Sequence, residues 1–178
     1  MNSYFGKFRG QSAALPPRFP VRQIVLGGVG AALAIGFVAT LASWTHQPLL
    51  LGSLGASCVF LFGLPEVPFS QPRNVVAGHL ISSLVGLICL KAFGPQPWAL
   101  GLALGLAVIG MFFTRTVHAP AGSNPVIVFM TQPDWGFLVS PTLLGAVGVV
   151  FVALIFNNAV RAGRYPLYWL GHDNPPRP

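Results

Sequence analysis

Three apolar runs, at residues 24–44, 75–93 and 136–156, are each close to the length that an α-helix needs to cross a bilayer. A hydrocarbon core of about 30 Å takes roughly 20 residues at about 1.5 Å each. A fourth run, 98–113, is slightly short but begins with Trp98, a residue type that favours membrane interfaces. Charged residues make up 7% of the 178-residue chain, against about a quarter in a soluble domain. Such a chain has too few charges to clothe a water-facing surface, and an all-α membrane protein is expected.

Two further stretches are too short or too broken to be ordinary spans. Residues 48–63 begin with a small, glycine-rich portion, and residues 120–130 reach only half a membrane's thickness. His46-Gln47-Pro48 precedes the first and His118-Ala119-Pro120 the second, at an offset of 72 residues. After each comes a patch of small residues, Gly52-Ser53-Leu54-Gly55-Ala56-Ser57 or Ala121-Gly122-Ser123-Asn124, and then an apolar run. The same offset lays the first long run on the fourth, so each half reads long span, short broken span, long span. Three crossings per half is an odd number, which inverts the second half relative to the first. The expected fold is a polytopic helical bundle of six membrane segments, a 3+3 inverted repeat with two short interrupted helices.

Lys and Arg in short loops are retained on the cytoplasmic side. With six crossings and both termini cytoplasmic, Lys7, Arg9, Arg18, Arg22, Arg73, Arg115, Arg161, Arg164 and Arg177 all fall inside, nine of the ten basic residues. Lys91 falls at the outer end of the third span, where its long side chain can reach the interface. The chain then divides into a basic cytoplasmic tail (1–23), one transmembrane domain (24–165, with repeats at 24–93 and 98–165) and a second cytoplasmic tail (166–178). Tyr4, Phe5 and Phe8 beside Lys7 and Arg9 suit either contact with an anionic leaflet or a solvated tail. A net charge of +7 distributed this way sets orientation rather than forming a nucleic-acid face. The first 23 residues lack the apolar core of a signal peptide, and the expected location is a bacterial plasma (inner) membrane.

Irregular backbone is tolerated at membrane depth where it is buried in protein or lines a wet cavity, and an interrupted helix in each inverted half is how many transporters build a midplane site. Ser53 is the expected cap of a half-helix running to residue 63. Asn124 and Pro125 are the expected cap and first turn of another, running to residue 132. Two helix N-termini meeting near the membrane centre favour an anion. The substrate-binding candidates are Gly52, Ser53, Gly55, Ser57, Gly122, Ser123 and Asn124, with close helix packing as their other reading. Packing is the preferred reading for Gly78, Ser82 and Gly86 and for the GxxxG pair Gly101 and Gly105, a pair also compatible with a homo-oligomer. His46, His79 and His118 are candidates for proton-linked or gating roles. His46 and His118 read equally well as interfacial caps, and His79 as a hydrogen-bonding partner of a neighbouring helix. Arg73 and Arg115 either mark topology or form a basic inner mouth.

Three acidic residues and two isolated cysteines, Cys58 and Cys89, supply no carboxylate pair, disulfide framework or thiolate metal site, so no metal and no cofactor are expected. An intramembrane hydrolase using Ser57 or Ser123 with a histidine would lack an interior acid to orient that histidine, because Glu66 and Asp134 fall in loops. No enzyme is expected. The leading function is a transporter or channel-like carrier for a small monovalent inorganic anion, with the lipid bilayer as its other partner and no nucleic acid. The alternative is a non-transporting structural or partner subunit of a membrane complex.

The stretches GSLGASCVFLFG, PEVPFSQPRNVVAGHL and TRTVHAPAG resemble the HPP family of small integral membrane proteins, over about residues 22–161. The specific elements are Gln71-Pro72-Arg73-Asn74 followed by Gly78-His79, and Thr114-Arg115-Thr116 before His118. The His-Pro-Pro signature is altered here, with Ala119 in its middle position, while His118, Pro120, Ala121 and Gly122 match. Members of the family have been linked to nitrite transport in cyanobacteria and plastids, so the resemblance implies nitrite as the substrate. The residues on their own imply a small anion.

Overall fold

Hydrocarbon offers no hydrogen bonds to a bare backbone, so a chain that breaks its helices inside a membrane must satisfy the freed groups with its own side chains. The computed structural model describes residues 7–8 and 13–171; the readings at Tyr4, Phe5, Arg9 and Arg177 lie outside the described residues. Among the described residues six α-helices are formed: α1 (Val21–Thr45), α2 (Gly52–Cys58, continuing through a π-helical turn, Val59–Gly63), α3 (Pro72–Phe93), α4 (Pro97–Phe113), α5 (Asn124–Thr131) and α6 (Leu144–Val160). The stretches Val21–Thr45, Pro72–Phe93 and Trp135–Val160 are long and apolar enough to cross a membrane; Gly52–Gly63 and Pro97–Phe113 are shorter apolar helices. Pro72 and Pro97 open their helices, where a missing N–H costs nothing.

The contacts give the direction of every pass. α6 runs antiparallel to α1, with Arg22 Nη2 donating to Val160 O at 2.8 Å near one end and the Phe37 and Phe151 rings 5.9 Å apart further along. α3 starts beside the end of α6, because the Tyr165 hydroxyl donates to Ser70 O at 2.6 Å and Leu167 N–H to Gln71 Oε1 at 2.8 Å. α4 returns antiparallel to α3, with the Phe93 and Trp98 rings 5.2 Å apart at the turn and Gly110 against Ile81.

The two short helices pack between these long ones. Leu49, in the extended segment ahead of α2, lies against Gly145 near the start of α6, and α2 ends beside the start of α1, where Gln23 Nε2 donates to Gly63 O at 3.0 Å. The segment ahead of α5 climbs along α3 in α3's own direction. Arg73 donates to Thr114 O at 3.1 Å, Asn74 to Val117 O at 3.0 Å and Ser82 to Ala121 O at 2.6 Å. A 3-10 turn, Ala119–Ser123, then leads into α5, and Gly86 admits Pro125 against α3. α2 and α5 therefore run in opposite directions, and α1 begins at the end of the bundle where α6 finishes.

The same accounting explains how α2 can stop. The last carbonyls of a helix lack intrahelical donors. Here Asn157 Nδ2 donates to Leu61 O at 3.0 Å, Arg161 Nη2 to Phe62 O at 2.5 Å, and Gln23 to Gly63 O. Trp44, Trp98 and Trp135 are exposed near one end and Trp169 near the other, as amphipathic rings at membrane interfaces are. Lys91 pairs there with Asp134 at 3.6 Å.

One sequence reading changes. Gly78 and Gly86 are packed as expected, but a Cβ on Gly101 or Gly105 would meet nothing within 4 Å, so α4 does not use its glycine pair inside the chain. The start of the second tail is docked on the bundle. Tyr165 is buried and Tyr168 Oη donates to Asn74 Oδ1 at 3.2 Å, docking the segment on the start of α3. Burial, the main influence, raises the Tyr165 phenol above its ordinary range.

The pass directions predict that exposed Glu66 and Asp134 lie on opposite sides of the membrane. With Cys58 and Cys89 replaced, Glu66→Cys should label only from the cytoplasmic side and Asp134→Cys only from the other. Labelling of both from one side would overturn the crossings of α2 and α5.

Candidate functional site

α3 carries a buried stripe of small and polar residues, Asn74, Gly78, His79, Ser82, Ser83 and Gly86, spaced three or four apart so that they share one face. The glycines let other backbones approach: a Cβ on Gly78 would sit 2.8 Å from His118 Cβ, and one on Gly86 3.1 Å from Pro125 Cα. His118 and Asn124 are thereby brought against His79, while α2 delivers Ser57 from the opposite direction.

The result is a continuous hydrogen-bonded chain of fully buried side chains. Its centre is Ser57 Oγ, 2.7 Å from His118 Nε2 and 3.0 Å from His79 Nε2. On one side His118 Nδ1 lies 2.6 Å from Phe69 O. On the other, Asn124 Nδ2 lies 3.0 Å from His79 Nδ1 and 2.8 Å from Ser83 Oγ, and Ser83 lies 3.0 Å from Thr142 Oγ1. The chain leads from the loop before α3 to the turn before α6, which sit toward opposite ends of the bundle.

The donors and acceptors assign the protons of the neutral network. A carbonyl only accepts, so His118 holds its proton on Nδ1 and offers a lone pair at Nε2. An amide nitrogen only donates, so His79 accepts at Nδ1 and holds its proton on Nε2. The Ser57 hydroxyl therefore accepts from His79 and donates to His118. A second acceptor is within its reach, Ser53 O at 2.9 Å. Among the described residues, two buried side-chain atoms have no hydrogen-bond partner, Ser53 Oγ and Asn124 Oδ1. Both border this chain.

The structure thus gathers Ser57, His79, His118 and Asn124, with Ser53 one turn before Ser57. It does not gather the glycines. Gly52 and Gly55 lie on the exposed side of α2, where an added Cβ meets nothing within 4 Å, and a Cβ added to Gly122 would stand 4.0 Å from Leu104 Cδ1. Ser123 is exposed and donates back to Pro120 O at 2.8 Å. His46 is exposed and ends α1 in the left-handed conformation, which is a helix-end role. Arg73 holds Thr114 O, and Arg115 follows α4 at φ 56°.

The expected caps differ as well. Leu51 precedes α2 and no side chain caps it. Asn124 already has helical dihedrals, φ −62° and ψ −40°, because the 3-10 turn runs straight into α5, so its amide is free to serve His79 and Ser83. Sequence reasoning missed Ser83, Thr142 and the Phe69 carbonyl. The four-residue spacing of α3 pointed toward the first, while nothing local announced the other two.

Two cavities lie toward opposite ends of the bundle, lined by residues outside the chain of bonds. One of about 480 Å³ includes Pro48, Gly52, Asp134 and Ser140 and opens beside the start of α2. The other, about 270 Å³ at the opposite end, is lined by Arg22, Glu66, Arg161 and Arg164. Burial foremost lowers the Arg161 guanidinium from its ordinary value, with Glu66 opposing and Arg22 adding to the shift. No three His, Cys, Asp or Glu side chains among the described residues are grouped as metal ligands.

The HPP transmembrane-region family matches residues 16–166. Two transmembrane proteins of Dictyostelium discoideum are similar: one is 40% identical over 67% of this chain and 41% of its own length, the other 37% identical over 70% and 46%. The chain thus spans less than half the length of the curated relatives it matches. No solved structure matches it.

The proton assignment is directly measurable. Nitrogen-15 spectra of histidine-labelled protein at neutral pH should show His79 as the Nε2–H tautomer and His118 as the Nδ1–H tautomer. Finding the two in the same tautomer would overturn the network as drawn.

Proposed function

The chain belongs to the HPP transmembrane family, and on that premise we propose that it is a transporter or channel-like carrier for a small monovalent anion, with nitrite, the substrate the resemblance implies, as the first choice. The observation that carries the reading is the buried Ser53 hydroxyl, a donor without a partner, one turn before Ser57 at the start of one of two short, oppositely directed helices. A buried polar group normally has a partner, and a hydroxyl with a hydrogen to give suits an anionic guest.

The attraction available to such a guest is modest. Ser53 contributes a hydroxyl donor, and each helix start contributes about 0.3–1 kcal/mol toward an anion, up to about 2 when partly buried. A carrier must release its substrate, which favours weak binding. The arginines around the 270 Å³ cavity raise the local concentration of anions at one mouth. The orientation goes with the proposal: both termini cytoplasmic in a plasma (inner) membrane.

The protein is read as no enzyme. Ser57 and His118 stand at the spacing of a nucleophile and its base, but Ser57 is fully buried and its lone pair receives a second imidazole. A non-transporting partner subunit is the second reading, favoured by the exposed Gly52, Gly55, Gly101 and Gly105, small residues of the kind helices use to approach one another.

Purified protein in vesicles, tested with nitrite, nitrate, formate, bicarbonate and chloride, decides between the two. Saturable nitrite flux above that of protein-free vesicles is expected. Ser53→Ala should raise the half-saturation concentration about fivefold, the equivalent of one hydrogen bond of about 1 kcal/mol, without preventing insertion. Absence of flux for every anion would overturn the proposal and leave the partner subunit.

A further inference from the structure

We infer that the anion crosses together with a proton, and that His118 Nε2 is the atom that takes this proton while the Ser57 hydroxyl turns from His118 to Ser53 O. The inference rests on the transport reading above and adds its coupling. It begins from charge. Every member of the buried chain is neutral in the assignment above, and a bare anion brought out of water into such a site loses hydration that neutral dipoles recover only in part. One proton on an imidazole beside it makes the loaded site neutral overall.

The geometry selects which imidazole. His79 Nδ1 accepts from the Asn124 amide, which also points at His79 O at 3.3 Å and at Ser83 Oγ. Protonating that nitrogen requires the amide to turn over, setting Asn124 Oδ1 against the His79 carbonyl. His118 has no such obstacle. Its Nε2 accepts from a hydroxyl whose alternative acceptor, Ser53 O, is already in place at 2.9 Å. When a proton from the aqueous side occupies the Nε2 lone pair, the Ser57 O–H rotates to Ser53 O. Ser57 Oγ then accepts from both imidazoles and donates once, with every lone pair and hydrogen used. On release the proton leaves Nε2 and the hydroxyl turns back. The Nε2–H bond is made from hydronium on uptake and broken to water on release, and otherwise only hydrogen bonds change.

The surroundings of His118 fit this role. α3 presents His79, with ring centroids 5.1 Å apart, as the titratable group facing it. α2 presents Ser57 and the Phe60 ring at 6.3 Å, and the loop before α3 presents the Phe69 carbonyl. No carboxylate, lysine or arginine is recorded against it among the described residues, so the charge it gains is left for the anion to balance.

The test uses the whole protein in vesicles holding a pH-sensitive dye, with nitrite uptake and internal pH followed together and protein-free vesicles subtracted. The expected result is one proton per nitrite. Accumulation should be about tenfold for a pH difference of one unit and unchanged by a potassium diffusion potential. His118→Gln, inserted and folded, should lose the proton component and the response to the pH difference. His79→Gln, which keeps a donor toward Ser57, should slow uptake but hold the ratio at one. Nitrite flux without protons, or flux that follows the potential, overturns the inference while leaving the transport reading intact. Proton-coupled uptake that survives in His118→Gln overturns the assignment to His118. Absence of nitrite flux in the unmodified protein overturns the transport reading itself.

Discussion

The structure depends on α3 acting as a substitute for water. Both short helices are preceded by several residues of non-helical backbone, and each carbonyl left unpaired in hydrocarbon would cost several kcal/mol. α3 meets that cost for the segment ahead of α5, through Arg73, Asn74 and Ser82. Its polar face is therefore the condition for the irregular backbone ahead of α5, and the same face then holds His79 and Ser83 for the site. Scaffold and site share one helix stripe, so residues that pack and residues that bind cannot be separated along it.

α2 is handled by different residues. Its final carbonyls are taken by Asn157, Arg161 and Gln23, supplied by α1 and α6 rather than by α3. The two short helices are thus anchored to different walls, α2 to the α1–α6 pair and α5 to α3. They meet through Ser57, His118, His79 and Asn124. A relative displacement of these walls would be registered first at that junction. A hydroxyl with one hydrogen between two acceptors can follow such a movement at little cost, which an arginine or lysine placed there could not.

How much of this was legible follows the range of the interactions. Span positions, the short helices and their bounds came from local patterns: α2 and α5 start at Gly52 and Asn124, at or next to the residues that the small-residue patches indicated. The capping chemistry was misread because it assumed extended backbone before Asn124, whereas a 3-10 turn from Ala119 delivers the chain already helical. That turn is held by Ser82 from across the bundle, a contact no local pattern contains. Ser57, His79 and His118 were each identifiable alone. Their convergence joins residues 22 and 61 positions apart, and only the tertiary structure supplies it.

The altered signature position bears on this junction in a specific way. Ala119 stands between His118, which is fully buried, and Pro120, which opens toward α5. Its own side chain is exposed, so a proline ring there would add no contact to the network. The constraint a proline supplies at that point is on its predecessor, which it pushes to extended dihedrals. His118 is extended here without that help, at φ −138° and ψ 102°. Its Nδ1–H bond to Phe69 O and the closeness of Gly78 to its Cβ hold by tertiary contact what the ring would have held locally. The orientation of His118 therefore rests on Gly78 and the Phe69 carbonyl, which is why the absence of a side chain at Gly78 matters to a hydrogen bond formed by its neighbour.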